Sequence, residues 1–322
     1  MTFHALTVAD VEHLTADSAA VTFAVPAHLR DAYAFKAGQS LTLRRTIDGT
    51  EHRRSYSICA PVGAAPRVGV REVPGGLFSS WLVRDLAVGD TVDVMTPSGA
   101  FQADPAAAGR HLCIAAGSGI TPVLSIAASA LVNPGSQVTL LYGNRKTDTV
   151  MFAEELADLK NRYTGRLELV HVLSREPRDV ELFSGRLDAG RLRRLLTLLV
   201  PLRSIDHVWL CGPFGLITDA RAVLGELGFP KDRVHFELFF VDEPPPEVHH
   251  AEAVIDGGSG AAYLYDFSSG HWFYTSSSLF PYLYDFTLSN WLYYLPATNN
   301  PGHYTSNPRY FSDLTTGKII TM

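Results

Sequence analysis

The sequence predicts an antiparallel β-barrel, then a parallel-sheet α/β domain, then a small aromatic β-hairpin repeat. Three observations predict it. Short β-branched runs separated by turn signals fill the first hundred residues. From Arg110 to Phe239 apolar strands alternate with helical patterns. After Gly257 the chain repeats itself at a nineteen-residue offset. The expected boundaries are 1–104 for the barrel, 105–240 for the α/β domain, 241–257 for a proline-rich linker and 258–322 for the repeat segment.

Composition limits the class. At ~150 residues per domain, 322 residues suit two or three domains. With 46% hydrophobic and 19% charged residues the chain is globular, not disordered. A net charge of −6 argues against wholesale binding to nucleic acid or an anionic membrane. No run reaches the ~18 apolar residues of a membrane span, and the N-terminus lacks a signal-peptide core. The expected location is therefore the cytoplasm. Three cysteines, Cys59, Cys113 and Cys211, lie too far apart for a disulfide framework or a local metal cluster, so no metal site is expected.

In the barrel, strands are expected at Ala20–Val25, Gln39–Arg44, Arg67–Val73 and Thr91–Met95, with a hairpin turn at Asp48-Gly49. One helix is expected at Leu77–Leu86. Two features here could carry chemistry. In Arg54-Ser55-Tyr56-Ser57, a flat tyrosine ring suits stacking on a planar cofactor. The adjacent hydroxyl can bond a ring nitrogen, and the arginine can neutralise a phosphate. The same tetrapeptide equally suits an ordinary alternating strand. Arg71 is followed by Gly75-Gly76-Leu77-Phe78-Ser79, where two glycines allow close approach of a ligand and Ser79 lies in a helix's first turn. A plain glycine turn starting a helix also fits.

In the α/β region, strands are expected at Leu112–Ala116, Val138–Tyr142, Leu167–Leu173, Val208–Cys211 and Val234–Phe239. Helices are expected at Pro122–Leu131, Phe152–Tyr163, Ala189–Leu199 and Leu216–Leu227, on both faces of the sheet. Gly117-Ser118-Gly119-Ile120-Thr121-Pro122 follows the first strand. Its glycines permit a tight turn against a pyrophosphate, Thr121 is expected as N-cap, and Pro122 as the first helical residue. Ser174 and Arg175 close another strand where NAD-selective sheets often place an acid; a hydroxyl and a guanidinium suit a 2′-phosphate, so NADPH is expected. Glu176 follows directly and keeps NADH open. Tyr142-Gly143-Asn144-Arg145 ends a strand that could line the same cleft. Cys211-Gly212-Pro213 puts a thiol at the ligand edge, although a lone strand cysteine also suits simple packing.

In this order, these pieces resemble the plant-type ferredoxin–NADP reductase superfamily. Arg54–Ser57 looks like its flavin motif and Gly75–Ser79 like its flavin-phosphate motif. Gly117–Pro122 looks like its pyrophosphate loop and Cys211–Pro213 like its nicotinamide-site motif. His235–Phe239 resembles the strand that closes the module near the flavin. The likeness covers roughly residues 1–245. Val70–Ser79 and Val94–Gly99 look most like the reductase subunits of phenylacetyl-CoA epoxidases and related multicomponent oxygenases. The resemblance implies hydride transfer from NAD(P)H to FAD and release of single electrons to an external acceptor, an oxygenase component or a separate ferredoxin. By the same resemblance Tyr56, Ser57, Cys211 and Glu237 are the catalytic group. Arg54, Gly76 and Ser79 would hold the flavin pyrophosphate, with Arg71, Gly75 and Phe239 nearby. Gly117, Gly119, Thr121 and Pro122 would hold the nicotinamide nucleotide, with Gly212 and Pro213 beside Cys211. Ser174, Arg175 and Arg145 would face the adenosine end.

Those reductases carry a C-terminal ferredoxin domain whose [2Fe–2S] cluster needs four cysteines. No cysteine follows Cys211, so no such cluster is expected on this chain. The linker Glu243-Pro244-Pro245-Pro246-Glu247 is present, and Ala251–Gly257 resembles a ferredoxin's opening strand. The resemblance then stops. Tyr263-Leu264-Tyr265-Asp266-Phe267 recurs as Tyr282-Leu283-Tyr284-Asp285-Phe286, Trp272-Phe273-Tyr274 as Trp291-Leu292-Tyr293, and a weaker third copy spans Ser312 to Ile320. His249, His250, His271 and His303 show no ligand spacing. Two readings of this tail stay open: an accessory binding module, or a fusion or truncation scar in place of the ferredoxin. The first carries an alternative function, a binding or assembly protein with the reductase as carrier.

Overall fold

The computed structural model describes residues 2–47, 49–104, 106–239, 254–255, 261–266, 271–276, 282–285, 288, 290–294, 310–313 and 318–321. The chain forms two compact units, Met1–Asp242 and Glu243–Met322.

The first unit begins with a six-stranded antiparallel sheet. Its strands are β1 (Phe3–Thr15), β2 (Ser18–Ala24), β3 (Ser40–Ile47), β4 (Thr50–Ser57), β5 (Arg67–Arg71) and β6 (Thr91–Met95). They lie in the order β4-β3-β6-β1-β2-β5. A bridge between Ile58, just past β4, and Val68 of β5 joins the two edge strands, as a barrel requires. Inward positions follow the period of two: Leu41 and Leu43, Val68 and Val70, Val92 and Val94 are all buried. Between β5 and β6, α1 (Leu77–Arg84) seals the barrel with Phe78 and Leu82. The long β1 was not among the expected strands. Only Leu6 and Val8 of its thirteen residues are fully buried, so its sequence alternates weakly.

The second sheet is parallel, with strands β7 (Arg110–Ala116), β8 (Gln137–Asn144), β9 (Leu167–Leu173), β10 (His207–Gly212) and β11 (Val234–Leu238) in the order β11-β10-β7-β8-β9. Between them run α2 (Ile120–Val132), α3 (Ala153–Arg162), α4 (Ala189–Leu199) and α5 (Phe214–Glu226). Leu124 and Leu156 of α2 and α3 pack with Leu140 and Tyr142 on one face. Leu192 and Leu224 of α4 and α5 pack with Leu112 and Leu141 on the other. Strand order reverses between β7 and β10, and in such sheets the crevice beyond that switch point takes the ligand. The apolar cluster around α2 also takes in Ala37, Cys59 and Phe101, so barrel and parallel sheet share one core. None of the described helices is long and apolar enough to cross a membrane.

Among its described residues, the second unit is a meander of seven short antiparallel strands: β12 (Val254–Ile255), β13 (Ala261–Asp266), β14 (His271–Ser276), β15 (Tyr282–Asp285), β16 (Asn290–Tyr294), β17 (Tyr310–Asp313) and β18 (Ile319–Thr321). The register repeats as the sequence does. Tyr263 pairs with Tyr274 and Tyr265 with Trp272 in one hairpin. Tyr282 pairs with Tyr293 and Tyr284 with Trp291 in the next. Phe273, Leu283, Leu292 and Phe311 form its small core. Val254 and Ile255, inside the stretch read as linker, are the first strand of this sheet. Residues 243–247 and the side chains of His249, His250, His271 and His303 lie outside the described residues.

Candidate active site

The site is built where the carboxyl ends of β7 and β10 meet the end of β4. Ser57, the last residue of β4, is buried and donates a hydrogen bond from Oγ to Glu237 Oε2 at 3.0 Å. Glu237 lies beside Cys211 in the parallel ladder of β10 and β11. Three residues from three distant strands thus converge. Burial pushes the Glu237 carboxyl up from its ordinary 4.5 to about 7, against the opposing pull of the Ser57 hydroxyl. The Cys211 thiol is raised well above its ordinary value by burial and by the neighbouring Glu237 charge. At neutral pH this Cys211 is a neutral thiol and Glu237 can hold or release a proton.

Tyr56 stands one residue before Ser57, half-buried, its ring 6.2 Å from that of Phe78 and tilted by 33°. Arg54 is exposed, and its Nη1 donates to the Arg53 carbonyl. The turn into α1 puts Gly75 at φ 74°, and Gly76 is the N-cap with no side-chain cap on the first-turn amides. Ser79 lies in the first turn of α1. Its Oγ accepts from the Val73 amide at 3.0 Å and donates to the Gly76 carbonyl at 3.3 Å, so it shapes the turn from within. A cavity of about 340 Å³ opens beside this turn, lined by Arg45, Gly75, Gly76, Ser80 and Trp81 among others. The free amides, the cavity and the half-exposed Tyr56 ring fit a flavin nucleotide with its pyrophosphate at the α1 N-terminus.

The second glycine turn departs from expectation in one respect. Thr121 is not the N-cap and Pro122 is not the first helical residue. Gly117–Gly119 already winds as a 3₁₀ turn, so Gly119 is the cap and α2 starts at Ile120. Thr121 Oγ1 instead donates to the Ser118 carbonyl. Pro122 still sits in the first turn, where its missing N–H is no loss. Gly119 is dictated by contact: a Cβ there would lie 2.3 Å from the Cys211 carbonyl oxygen. That close approach locks the turn onto the end of β10, and no side chain caps the N-terminus of α2. Pro213 follows Gly212 as the N-cap of α5, and the Phe239 amide donates to the Gly212 carbonyl.

Arg71 reaches across from β5. Its Nη2 donates to the Thr149 carbonyl at 2.6 Å, while its Nε lies 3.4 Å from Asp17 Oδ1 in an ion pair. At the outer strands the Ser174 amide donates to the Asn144 carbonyl and the Arg175 amide to that of Arg145. Arg145 and Arg175 are exposed. Glu176 is held by the Thr147 amide and hydroxyl at 2.8 and 2.7 Å, contacts that pull its carboxyl below the usual range. Asn144, at the end of β8, is buried, and its carbonyl accepts from the Ser174 amide.

Sequence reasoning missed a stripe of small polar residues on α2. Thr121, Ser125 and Ser129 recur at i, i+4 and i+8 on a helix otherwise apolar and buried. Ser125 Oγ donates to the Ala60 carbonyl at 2.7 Å, and Ser129 Oγ accepts from the Val62 amide at 2.9 Å. Their spacing was the available signal for the face that meets the barrel. Among the described residues no group of three or more His, Cys, Asp or Glu could hold a metal.

Comparison with known proteins agrees with this layout. The family model described as an oxidoreductase FAD-binding domain matches residues 5–103, and that of an oxidoreductase NAD-binding domain matches 113–222. One of the subunits of 1,2-phenylacetyl-CoA epoxidase from Escherichia coli (strain K12) is 45% identical over 242 residues, covering 74% of this chain and 68% of its own. The ferredoxin reductase component of 3-ketosteroid-9-alpha-monooxygenase from Rhodococcus rhodochrous is 38% identical, covering 77% and 70%. The crystal structure of the FAD/NAD-binding domain of nitric oxide dioxygenase from Vibrio cholerae O1 biovar El Tor superposes with a TM-score of 0.63 at 27% identity, covering 74% of this chain and 99% of that one. The chain belongs to the ferredoxin–NADP reductase family of oxidoreductases, whose paired FAD- and NAD-binding domains make up its first unit.

Proposed function

We propose that the chain takes a hydride from NADPH onto barrel-bound FAD and hands electrons to an external acceptor, as the reductase component of a multicomponent oxygenase. The observation that carries the reading is the convergence of Ser57, Glu237 and Cys211 at the sheet switch point. Bound FAD would supply the conversion between a two-electron donor and one-electron acceptors. Tyr56 offers the stacking face, and Arg54 with the α1 amides neutralises the pyrophosphate. Cys211 presents a neutral thiol to the nicotinamide and excludes water. The Ser57 hydroxyl holds the Glu237 carboxyl, which stores a proton near neutral pH. The Gly117–Gly119 turn and α2 amides receive the nucleotide pyrophosphate.

The acceptor is an oxygenase component or a separate ferredoxin, a reading supported by the names of the relatives. Glu237→Gln keeps the Ser57 contact and removes the titratable proton. It is expected to slow anaerobic flavin reduction by roughly 10²-fold with flavin content unchanged; an unchanged rate contradicts the assignment. NADPH preference rests on Ser174 and Arg175, and on Glu176 being engaged by Thr147. Arg175→Ala should lower the NADPH-to-NADH ratio of kcat/KM about tenfold, the value of one charge-assisted hydrogen bond. Equal ratios in the two proteins remove the argument.

A further inference from the structure

The proposed reaction spans two lobes of the first unit: the barrel would hold the flavin and the parallel sheet the nicotinamide. Hydride transfer needs reacting atoms roughly 3–3.5 Å apart, and a 1 Å error costs about 10²-fold. Something must therefore fix the lobes to that tolerance. Strand β5 supplies it. Arg67, Gly69 and Arg71 share one face of the strand by its period of two. Arg67 Nη1 donates to Glu155 Oε2 at 2.7 Å, near the start of α3. Its Nη2 donates to Glu12 of β1. One guanidinium is thus pinned to the barrel by one carboxylate and to the nucleotide lobe by the other. The Arg67 side chain is only 16% exposed, while Glu155 keeps partial access to solvent.

The neighbours reinforce this contact. Phe152, just before α3, has φ 58°, a left-handed conformation that a phenylalanine keeps only when its surroundings impose it. The Arg67 guanidinium lies 5.2 Å from its ring centre. Gly69 faces the same ring: a Cβ there would sit 2.5 Å from Thr121 Cγ2 and 2.8 Å from Phe152 Cζ. Two residues on, Arg71 donates to the Thr149 carbonyl. The strand therefore grips the segment from Thr149 to Glu155 at both ends, with a bare glycine between.

We propose that Arg67 and Glu155 are a positioning pair that sets the nicotinamide lobe against the flavin barrel. This rests on the reductase reading. Neither residue touches the reacting atoms; each acts through the lobe it holds.

The test uses the full-length, FAD-loaded protein with Arg67→Ala, Glu155→Ala, the double variant and Glu155→Gln. In each alanine variant, flavin reduction at saturating NADPH is expected to slow roughly tenfold or more, with KM within about twofold and bound flavin unchanged. The double variant should lose little beyond Arg67→Ala, because that change already removes the contact with Glu155. Glu155→Gln, which keeps an oxygen acceptor, should recover most of the rate. Independently of activity, amide hydrogen exchange in 60–69 and 121–129 should quicken in Glu155→Ala. Unchanged exchange there, or wild-type reduction rates in both alanine variants, overturns the proposal. A wild-type protein that NADPH does not reduce would instead sink the reductase reading, while the exchange result still decides the pair.

Discussion

The two compact units are both rich in β-strands, yet they are built on opposite logics. In Met1–Asp242 each strand end carries something different: Ser57 on β4, the glycine turn after β7, Asn144 on β8, Cys211 on β10, Glu237 within β11. In Glu243–Met322 successive hairpins carry the same things, with Tyr–Tyr and Tyr–Trp pairs in matching register. The contrast is also one of burial. The first unit has two extended cores flanking the parallel sheet and one filling the barrel. Among the described residues of the second, Phe273, Leu283, Leu292 and Phe311 form an apolar cluster, and Tyr282, Tyr310 and Ile319 stand exposed.

The sharpest way to break this comparison is at the closest approach in the first unit. Gly119→Val would drive a branched side chain into the Cys211 carbonyl, 2.3 Å from the Cβ position. The expected cost is about 3 kcal/mol or more, with loss of flavin binding, read by denaturant unfolding and absorbance. A variant that folds and binds flavin like the wild type would show that the turn is not locked to β10.

The second unit should respond differently. Leu292 is fully buried in the small core, so Leu292→Ala is expected to destabilise that sheet by about 2–3 kcal/mol. Flavin content and reduction rate should stay as in the wild type. A parallel loss of flavin would mean that the repeat supports the first unit, and the contrast between them would have to be redrawn.

A third difference is a pH dependence. The Glu237 carboxyl is raised from 4.5 to about 7 in the folded chain, so between these values the folded state binds more protons than the unfolded one. Stability of the first unit should therefore fall as pH rises from about 4.5 to about 7, and this contribution should be constant above that. Glu237→Gln should flatten the slope in that window. An identical slope in the variant would show that Glu237 titrates normally.

Much of this was legible in the sequence, for identifiable reasons. The parallel strands are continuous apolar runs between amphipathic helices, and their positions could be read to within a residue or two, as Leu167–Leu173 shows. The two glycine turns, at Gly75-Gly76 and Gly117–Gly119, declared themselves through paired glycines. The tail's hairpins followed from its repeat, down to β17 and β18. What stayed hidden depends on contacts between distant segments. β1 has too few buried residues to alternate clearly. Thr121 as a cap was reasonable from local chemistry, but the 3₁₀ turn before it had already begun the helix. The Arg67–Glu155 contact joins residues 88 positions apart, and no local pattern announces it. The contacts of the Ser79 hydroxyl with the Val73 amide and the Gly76 carbonyl belong to a turn whose shape cannot be seen in the sequence.

The most direct test of the central claim is an absorbance spectrum of the purified full-length chain with FAD, taken before and after anaerobic NADPH. A flavin spectrum that travels with the protein and bleaches on NADPH addition is the predicted result. A protein that stays colourless after FAD is added, or a bound flavin that NADPH leaves unbleached, would contradict it.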